Sequence, residues 1–287
     1  MTGELFIDSI DAFNAWGLGV AQGGYKGLVG MPPLKTYQSN DWQEEDGIEA
    51  DLSAPVLNTR EFTMDFYCTK GESGFDAFLS QLKTASYHVF NFVEIGRSFK
   101  LRLVSHSKYD SVQTLQLVTI KFADDFPLPD YTYSAPTEVP ISVQESGYSF
   151  DGGNDLADYG IYVLQGSKAE VLKGAAVKPA LLRNIPTQAG AIYDEDALPK
   201  HKAKDIKLSL LMRAESLSQL WHNWDALLYD LIRAVDTDEQ PDGRVFTTPY
   251  ASFPFCYKSC SVKTFDPDGK PWLEFSLTIT NLQGTNI

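Results

Sequence analysis

Trp16-Gly-Leu-Gly-Val-Ala-Gln-Gly-Gly24 has a counterpart later in the chain, Tyr159-Gly-Ile-Tyr-Val-Leu-Gln-Gly-Ser167. Gly17 and Gly160 lie 143 residues apart, and the same step pairs Val20 with Val163, Gln22 with Gln165, Gly23 with Gly166 and Lys35 with Lys178. It extends to Gly47 and Gly190, Asp51 and Asp194, and Ser73 and Ser216. A step of half the chain constrains the fold more than any local motif, because each copy has to bury its own apolar face. The 287-residue length suits two ordinary domains. The expected organisation is a first module over 1–128, a connector over 129–155 and a second module over 156–287.

Within the first module, the glycines from 17 to 30 suggest a strand pair over residues 16 to 30, broken by Pro32-Pro33. Residues 35 to 55 read as a long polar loop. In Arg60-Glu-Phe-Thr-Met-Asp-Phe-Tyr-Cys68, Phe62, Met64 and Phe66 alternate with polar residues, the period of a half-buried strand. Phe75, Phe78, Leu79 and Leu82 then fall on one helical face, with Ser73 as the expected N-cap. Three strand-like runs follow, 87–93, 98–105 and 114–122.

The connector carries prolines and Val139-Pro-Ile-Ser-Val143, which reads as an edge strand or as a linker that docks. The second module repeats the order: an opening strand pair at 159–172, a loop at 179–201, and an alternating strand from Ile206 to Leu210. Ser216-Leu-Ser-Gln219 opens a helix with Leu217, Leu220, Trp221, Trp224, Leu228 and Leu231 on one face. Strand-like runs at 245–248, 253–262 and 272–280 close it, the last two joined by the turn Asp266-Pro-Asp-Gly269. Helices are missing between successive strands, so a parallel α/β sheet is excluded. The expected class is mainly β (α+β): two tandem antiparallel β-sandwich or barrel modules, each flanked by one helix.

The net charge of −14 is shared, with 10 basic against 19 acidic residues in 1–143 and 14 against 19 in 144–287. Gripping nucleic acid needs clustered Lys or Arg, and no such run exists. Like charges would instead let a polyanion pass without sticking. The start, Met-Thr-Gly-Glu-Leu-Phe, has no basic and apolar signal pattern, and no run approaches the roughly 20 apolar residues of a membrane span. These features read as a soluble, cytoplasmically made chain without a membrane partner.

Motifs for chemistry are missing. His88, His106, His201 and His222 share no metal-ligand spacing. Cys256 and Cys260, four residues apart in a strand, are expected on one side of it as buried thiols, and three cysteines do not make a disulfide framework. The acidic clusters at 41–46, 151–155, 194–196 and 236–242 fit no EF-hand loop and read as solvated loops. Gly-x-Ser-x-Gly, Gly-Lys-Ser and His-Glu-x-x-His are all absent. No catalytic residue, metal site or cofactor is therefore assigned. Trp221 and Trp224 read as helical core. Trp42, inside a polar loop, is either an anchor for a partner surface or packed under its own loop.

Gly47-Ile-Glu-Ala-Asp51, ending a long loop, and Asn58-Thr-Arg-Glu-Phe-Thr-Met-Asp-Phe66 after it resemble the tail-tube and distal-tail proteins of long-tailed bacteriophages. There a similar glycine-ended loop leads into an Arg-acid-apolar strand, one helix and a hairpin. The second module keeps the order and Gly190, but has Lys204-Asp205 in place of Arg60-Glu61, which argues against identical contacts. The resemblance implies a tail-tube-like fold whose sheets join edge to edge into a ring of three or six chains. It implies neighbouring tail proteins as partners, DNA only as a passing polyanion, and location in the bacterial cytoplasm during assembly and then in the virion tail. The candidate stacking or partner-facing residues are Asp41, Trp42, Glu44, Glu45 and Asp46 on the first loop and Asp194, Glu195 and Asp196 on the second. The competing reading is a tandem carbohydrate- or receptor-binding module with Trp42, Tyr131 and Tyr133 as sugar platforms; a carboxylate-pair hydrolase is a third.

Overall fold

The computed structural model describes residues 2–107, 110–112, 115–140, 143–180, 182–192, 198–234 and 243–284. The first half runs β1 (Leu5–Ile7), β2 (Ile10–Asp11), α1 (Ala12–Trp16), β3 (Leu18–Val20) and α2 (Lys26–Val29). A small hairpin, β4 (Ser39–Asn40) with β5 (Glu49–Ala50), precedes β6 (Arg60–Cys68) and α3 (Gly71–Leu82). Then come β7 (His88–Phe92), β8 (Arg97–His106), β9 (Asp110–Val112) and β10 (Leu115–Asp124). The second half has β11 (Ser149–Phe150), a 3-10 turn at Leu156–Tyr159, β12 (Ile161–Val163), α4 (Ser167–Leu172), β13 (Lys204–Arg213) and α5 (Leu217–Ile232). It ends with β14 (Val245–Thr247), β15 (Ser252–Asp266) and β16 (Trp272–Asn281).

The chain is mainly β, built on curled antiparallel sheets with few helices. One sheet has the order β2-β1-β7-β8-β10-β6-β3, with β9 on β10; the other has the order β11-β14-β15-β16-β13-β12. Each strand of the second order stands where its counterpart by chain position stands in the first. Alternation makes β6 a core strand, with Phe62, Met64 and Phe66 buried and Glu61, Thr63 and Asp65 exposed. Burying a side chain of that size stabilises by about 1.5–3 kcal/mol. The helices α3 and α5 cover the sheets with their apolar faces, and the cores of the two sheets are continuous.

The glycine-rich openings are not strand pairs. Each is a helical turn ending on an aromatic residue, a left-handed glycine, a three-residue strand and a short helix. Gly17 has φ +72° and Gly160 φ +77°; an added Cβ would meet Thr69 Oγ1 at 2.6 Å and Arg213 O at 2.4 Å respectively. Only glycine fits both the dihedral and the space. Their carbonyls accept from Thr69 N at 2.8 Å and Arg213 N at 3.0 Å, so the two openings are held alike.

Other expectations are corrected. The helix expected from Ser73 starts at Gly71, with Lys70 as its cap; the Ser73 hydroxyl donates to Lys70 O instead of capping. Ser216 does cap α5, accepting from Gln219 N at 3.2 Å. The polar loop at 35–55 holds the β4–β5 hairpin. Cys256 and Cys260 face opposite sides of β15, because a register shift between Tyr257 and Ser259 inserts a residue into the alternation. The Val139 to Val143 stretch forms no strand among its described residues and the connector docks there, Thr137 exchanging two hydrogen bonds with the Asn223 side chain on α5 at 2.8 and 2.9 Å, whereas its end supplies the edge strand β11. Val139 is buried beside Gly160; Ile141 and Ser142 lie outside the described residues.

As expected, Lys204 does not make all the contacts of Arg60, but it keeps one of them. Arg60 Nη1 donates to Leu28 O at 2.6 Å, at the end of α2, and Lys204 Nζ donates to Val171 O at 2.6 Å, at the end of α4. Both side chains are buried and complete open helix carbonyls. Arg60 also reaches Gly30 O and Asp124, whereas the residue facing Lys204 across the ladder is Asn281.

Candidate functional site

The hairpin arm of the first half closes over the second half. Ser39 pairs with Ala50 and Asn40 with Glu49, which throws the tip, residues 41–47, onto the segments around Lys178, His201 and Leu282. Lys178 is buried, and its ammonium donates to Trp42 O at 2.6 Å and Gly47 O at 2.7 Å while pairing with Asp41 at 2.6 Å. Gly47 N donates to His201 O, and Ile48 N to Leu282 O, each at 2.8 Å. Leu52, Cys256 and Leu282 then form a small apolar cluster beneath the arm, joined by Tyr37, whose hydroxyl lies 3.1 Å from Cys256 Sγ.

Asp46 accepts from the His201 backbone N–H at 2.6 Å and lies 3.7 Å from Lys200. That backbone hydrogen bond, with smaller help from the His201 ring and Lys200, holds its carboxyl below the usual carboxylate range. A depressed carboxylate stabilises while ionised and loses that contribution as pH falls through its lowered value. Protection of the Gly47 and Ile48 amides from hydrogen exchange, corrected for intrinsic rates, should therefore drop as the pH is taken below 4.

The junction is also sealed from the helix side. Trp221 Nε1 donates to Ile95 O at 2.6 Å and Trp224 Nε1 to Val29 O at 3.1 Å. These tryptophans are core, as expected, and they also tie α5 to the first half. Arg97 pairs with Asp225 at 2.9 Å, its guanidinium 4.6 Å from the Trp221 ring centre. Tyr257 donates to Pro32 O at 3.0 Å.

The sequence-picked residues divide. Asp41 and Asp46 are anchors of the arm, while Glu44 and Glu45 are exposed on its tip. Trp42 is 51% exposed, with Nε1 donating to Glu49 at 3.1 Å, so it is not packed under its loop. Trp42→Ala should change unfolding free energy by less than about 0.5 kcal/mol, read from urea denaturation. Asp194, Glu195 and Asp196 lie outside the described residues. Tyr131 and Tyr133 are half-buried against Tyr229, with ring centres 5.9 and 4.9 Å away, and Tyr133 donates to Asp230 at 3.2 Å, an arrangement that packs them on α5.

The cluster at 151–155 is structural: Asp151 receives Arg244 and Arg233, both at 2.8 Å, and Asp155 caps the 3-10 turn. Asp236 to Asp242 lie outside the described residues. Among the described residues no group of three or more His, Cys, Asp or Glu is placed to hold a metal, and no helix is long and apolar enough to cross a membrane. In the sequence Lys178 stands out only as the repeat partner of Lys35, and Gly47 only as the repeat partner of Gly190 and the glycine that ends the long loop. Their partners are backbone carbonyls, which leave no trace in side-chain identity.

Fold and junction together define a mainly β, α+β chain whose two curled sheets are clamped by a hairpin arm. No family model matches the chain, and no curated protein matches it. Among solved structures it is similar to the SPP1 Dit protein, described as a paradigm of the hub adsorption apparatus in phages infecting Gram-positive bacteria. The match spans 97% of this chain and 98% of that one, at 11% identity and a TM-score of 0.29, a likeness too slight to carry an argument about this chain.

Proposed function

We propose that this chain is a structural protein of a phage or prophage tail, of the distal-tail or tail-tube kind. In this reading it arose by internal duplication of one module, with modules at 1–128 and 156–287 joined by the 129–155 connector, whose end adds β11 to the second sheet. Copies assemble into a ring of three or six chains that continues the tail channel and contacts neighbouring tail proteins. The observation that carries the reading is the strand order, β1-β7-β8-β10-β6-β3 against β11-β14-β15-β16-β13-β12. The paired left-handed glycines and the paired cations on Leu28 O and Val171 O support it residue by residue.

A unit of this kind meets its twin through sheet edges and arms, and its junction is directional, so successive units add head to tail and close when the rotation allows. The net charge of −14 suits a channel wall that DNA passes without being held. No catalytic step is assigned to the chain. Negative-stain images of concentrated protein should show rings with a central hole. Only compact particles without a hole, at every concentration, would remove the ring from the proposal.

A further inference from the structure

Resting on the head-to-tail reading, we infer that the second half carries an open copy of the surface with which the first half grips its neighbour. Its occupant is the first half of another copy of this chain. At key positions matched by the repeat, the gripping surface is buried in the first half and open in the second, and the receiving surface shows the reverse.

On the gripping side, Val29 is buried and its counterpart Leu172 is 42% exposed, although both end the same short helix. Gly47 is buried and Gly190 exposed. Both have left-handed backbones, φ +70° and +80°, but a Cβ on Gly47 would meet Leu282 O at 1.7 Å, whereas one on Gly190 meets nothing within 4 Å among the described residues. The second arm is formed: Arg183 pairs with Ile192, the counterparts of Asn40 and Glu49. It stands in solvent with Leu182 56% and Ile192 48% exposed.

The receiving side shows the opposite sign. Lys178 is buried under the first arm, while Lys35 is exposed. The local backbone is the same in both places, since Lys35 N donates to Val56 O at 2.8 Å and Lys178 N to Lys200 O at 2.7 Å. Across the ladders, Leu103 faces Phe122 as Tyr257 faces Ile279; Tyr257 is buried against Pro32, and Leu103 only partly buried. Thus one gripping and one receiving surface are consumed inside the chain, and one of each remains open. Leu172 and Gly190 at the gripping end and a free-standing ammonium at the receiving end match Val29, Gly47 and Lys178 of the closed junction.

In the docked pair, Lys35 of one copy donates to the carbonyls of Ile185 and Gly190 of the next, with Asn184 in the role of Asp41. Two variants test this in the full chain by light scattering over a concentration series. Gly190→Asn keeps a residue that tolerates positive φ and fills the space a neighbour's backbone needs. Lys35→Met removes only the ammonium. Both should leave the circular dichroism and melting of the dilute chain unchanged and raise the concentration for assembly by at least about tenfold. A chain carrying Lys35→Cys and Asn184→Cys should be joined between copies by a bis-maleimide whose reach matches a lysine–carboxylate bridge, which is longer than a disulfide spans. Variants that assemble at the wild-type concentration, with no cross-link, would overturn this surface while leaving the ring intact. Wild-type chain that never assembles would overturn both.

Discussion

Lys178→Met is expected to cost about 2–4 kcal/mol of unfolding free energy, because each buried polar group left without a partner costs about 1–3 kcal/mol. Methionine keeps the apolar stem that packs in the junction, so the change isolates the ammonium. What is lost is the donor to Trp42 O and Gly47 O, the latter fully buried, together with the ion pair to the exposed Asp41, which adds little in water. Urea unfolding gives the stability change, and hydrogen exchange locates it: the amides of Gly47 and Ile48 should lose protection first. Lys35→Met, at the matching but exposed position, should shift the same midpoint by less than about 0.5 kcal/mol.

Gly47→Ala should destabilise by about 3 kcal/mol or more. Left-handed backbone costs a residue with a Cβ roughly 1–2 kcal/mol, and the added carbon would sit 1.7 Å from Leu282 O and 2.6 Å from the Gln283 carbonyl carbon. Those atoms are backbone at the end of β16, so relief requires the arm to lift and give up the hydrogen bonds of Gly47 and Ile48. Gly190→Ala carries the dihedral cost alone, about 1–2 kcal/mol, since nothing among the described residues stands within 4 Å of its Cβ position. Thermal unfolding of the two variants side by side separates clash from dihedral strain.

How much of this was legible in the sequence depends on where each signal resides. Phe62, Met64 and Phe66, or Ile206, Leu208 and Leu210, declare strands because their partners are the core itself. The apolar faces of α3 and α5 were readable for the same reason. The openings were not, since a five-residue helix, a glycine and a three-residue strand are each shorter than the period that would reveal them. The bulge in β15 moved Cys256 and Cys260 to opposite faces through backbone register, to which composition is blind. Lys204 stood in for Arg60 because the shared task is donating to a helix-end carbonyl, which either cation can do. Asp41, Trp42 and Asp46 drew notice as a polar loop around a tryptophan; that the arm is fastened by Lys178, 131 residues beyond Gly47, is a tertiary fact.

Directional self-assembly of the proposed two-module chain is decided by its mass in solution across a concentration series. Light scattering should show the single chain of 31.9 kDa at high dilution giving way to one closed species of three or six chains. A mass that stays at one chain throughout the series would rule out the ring.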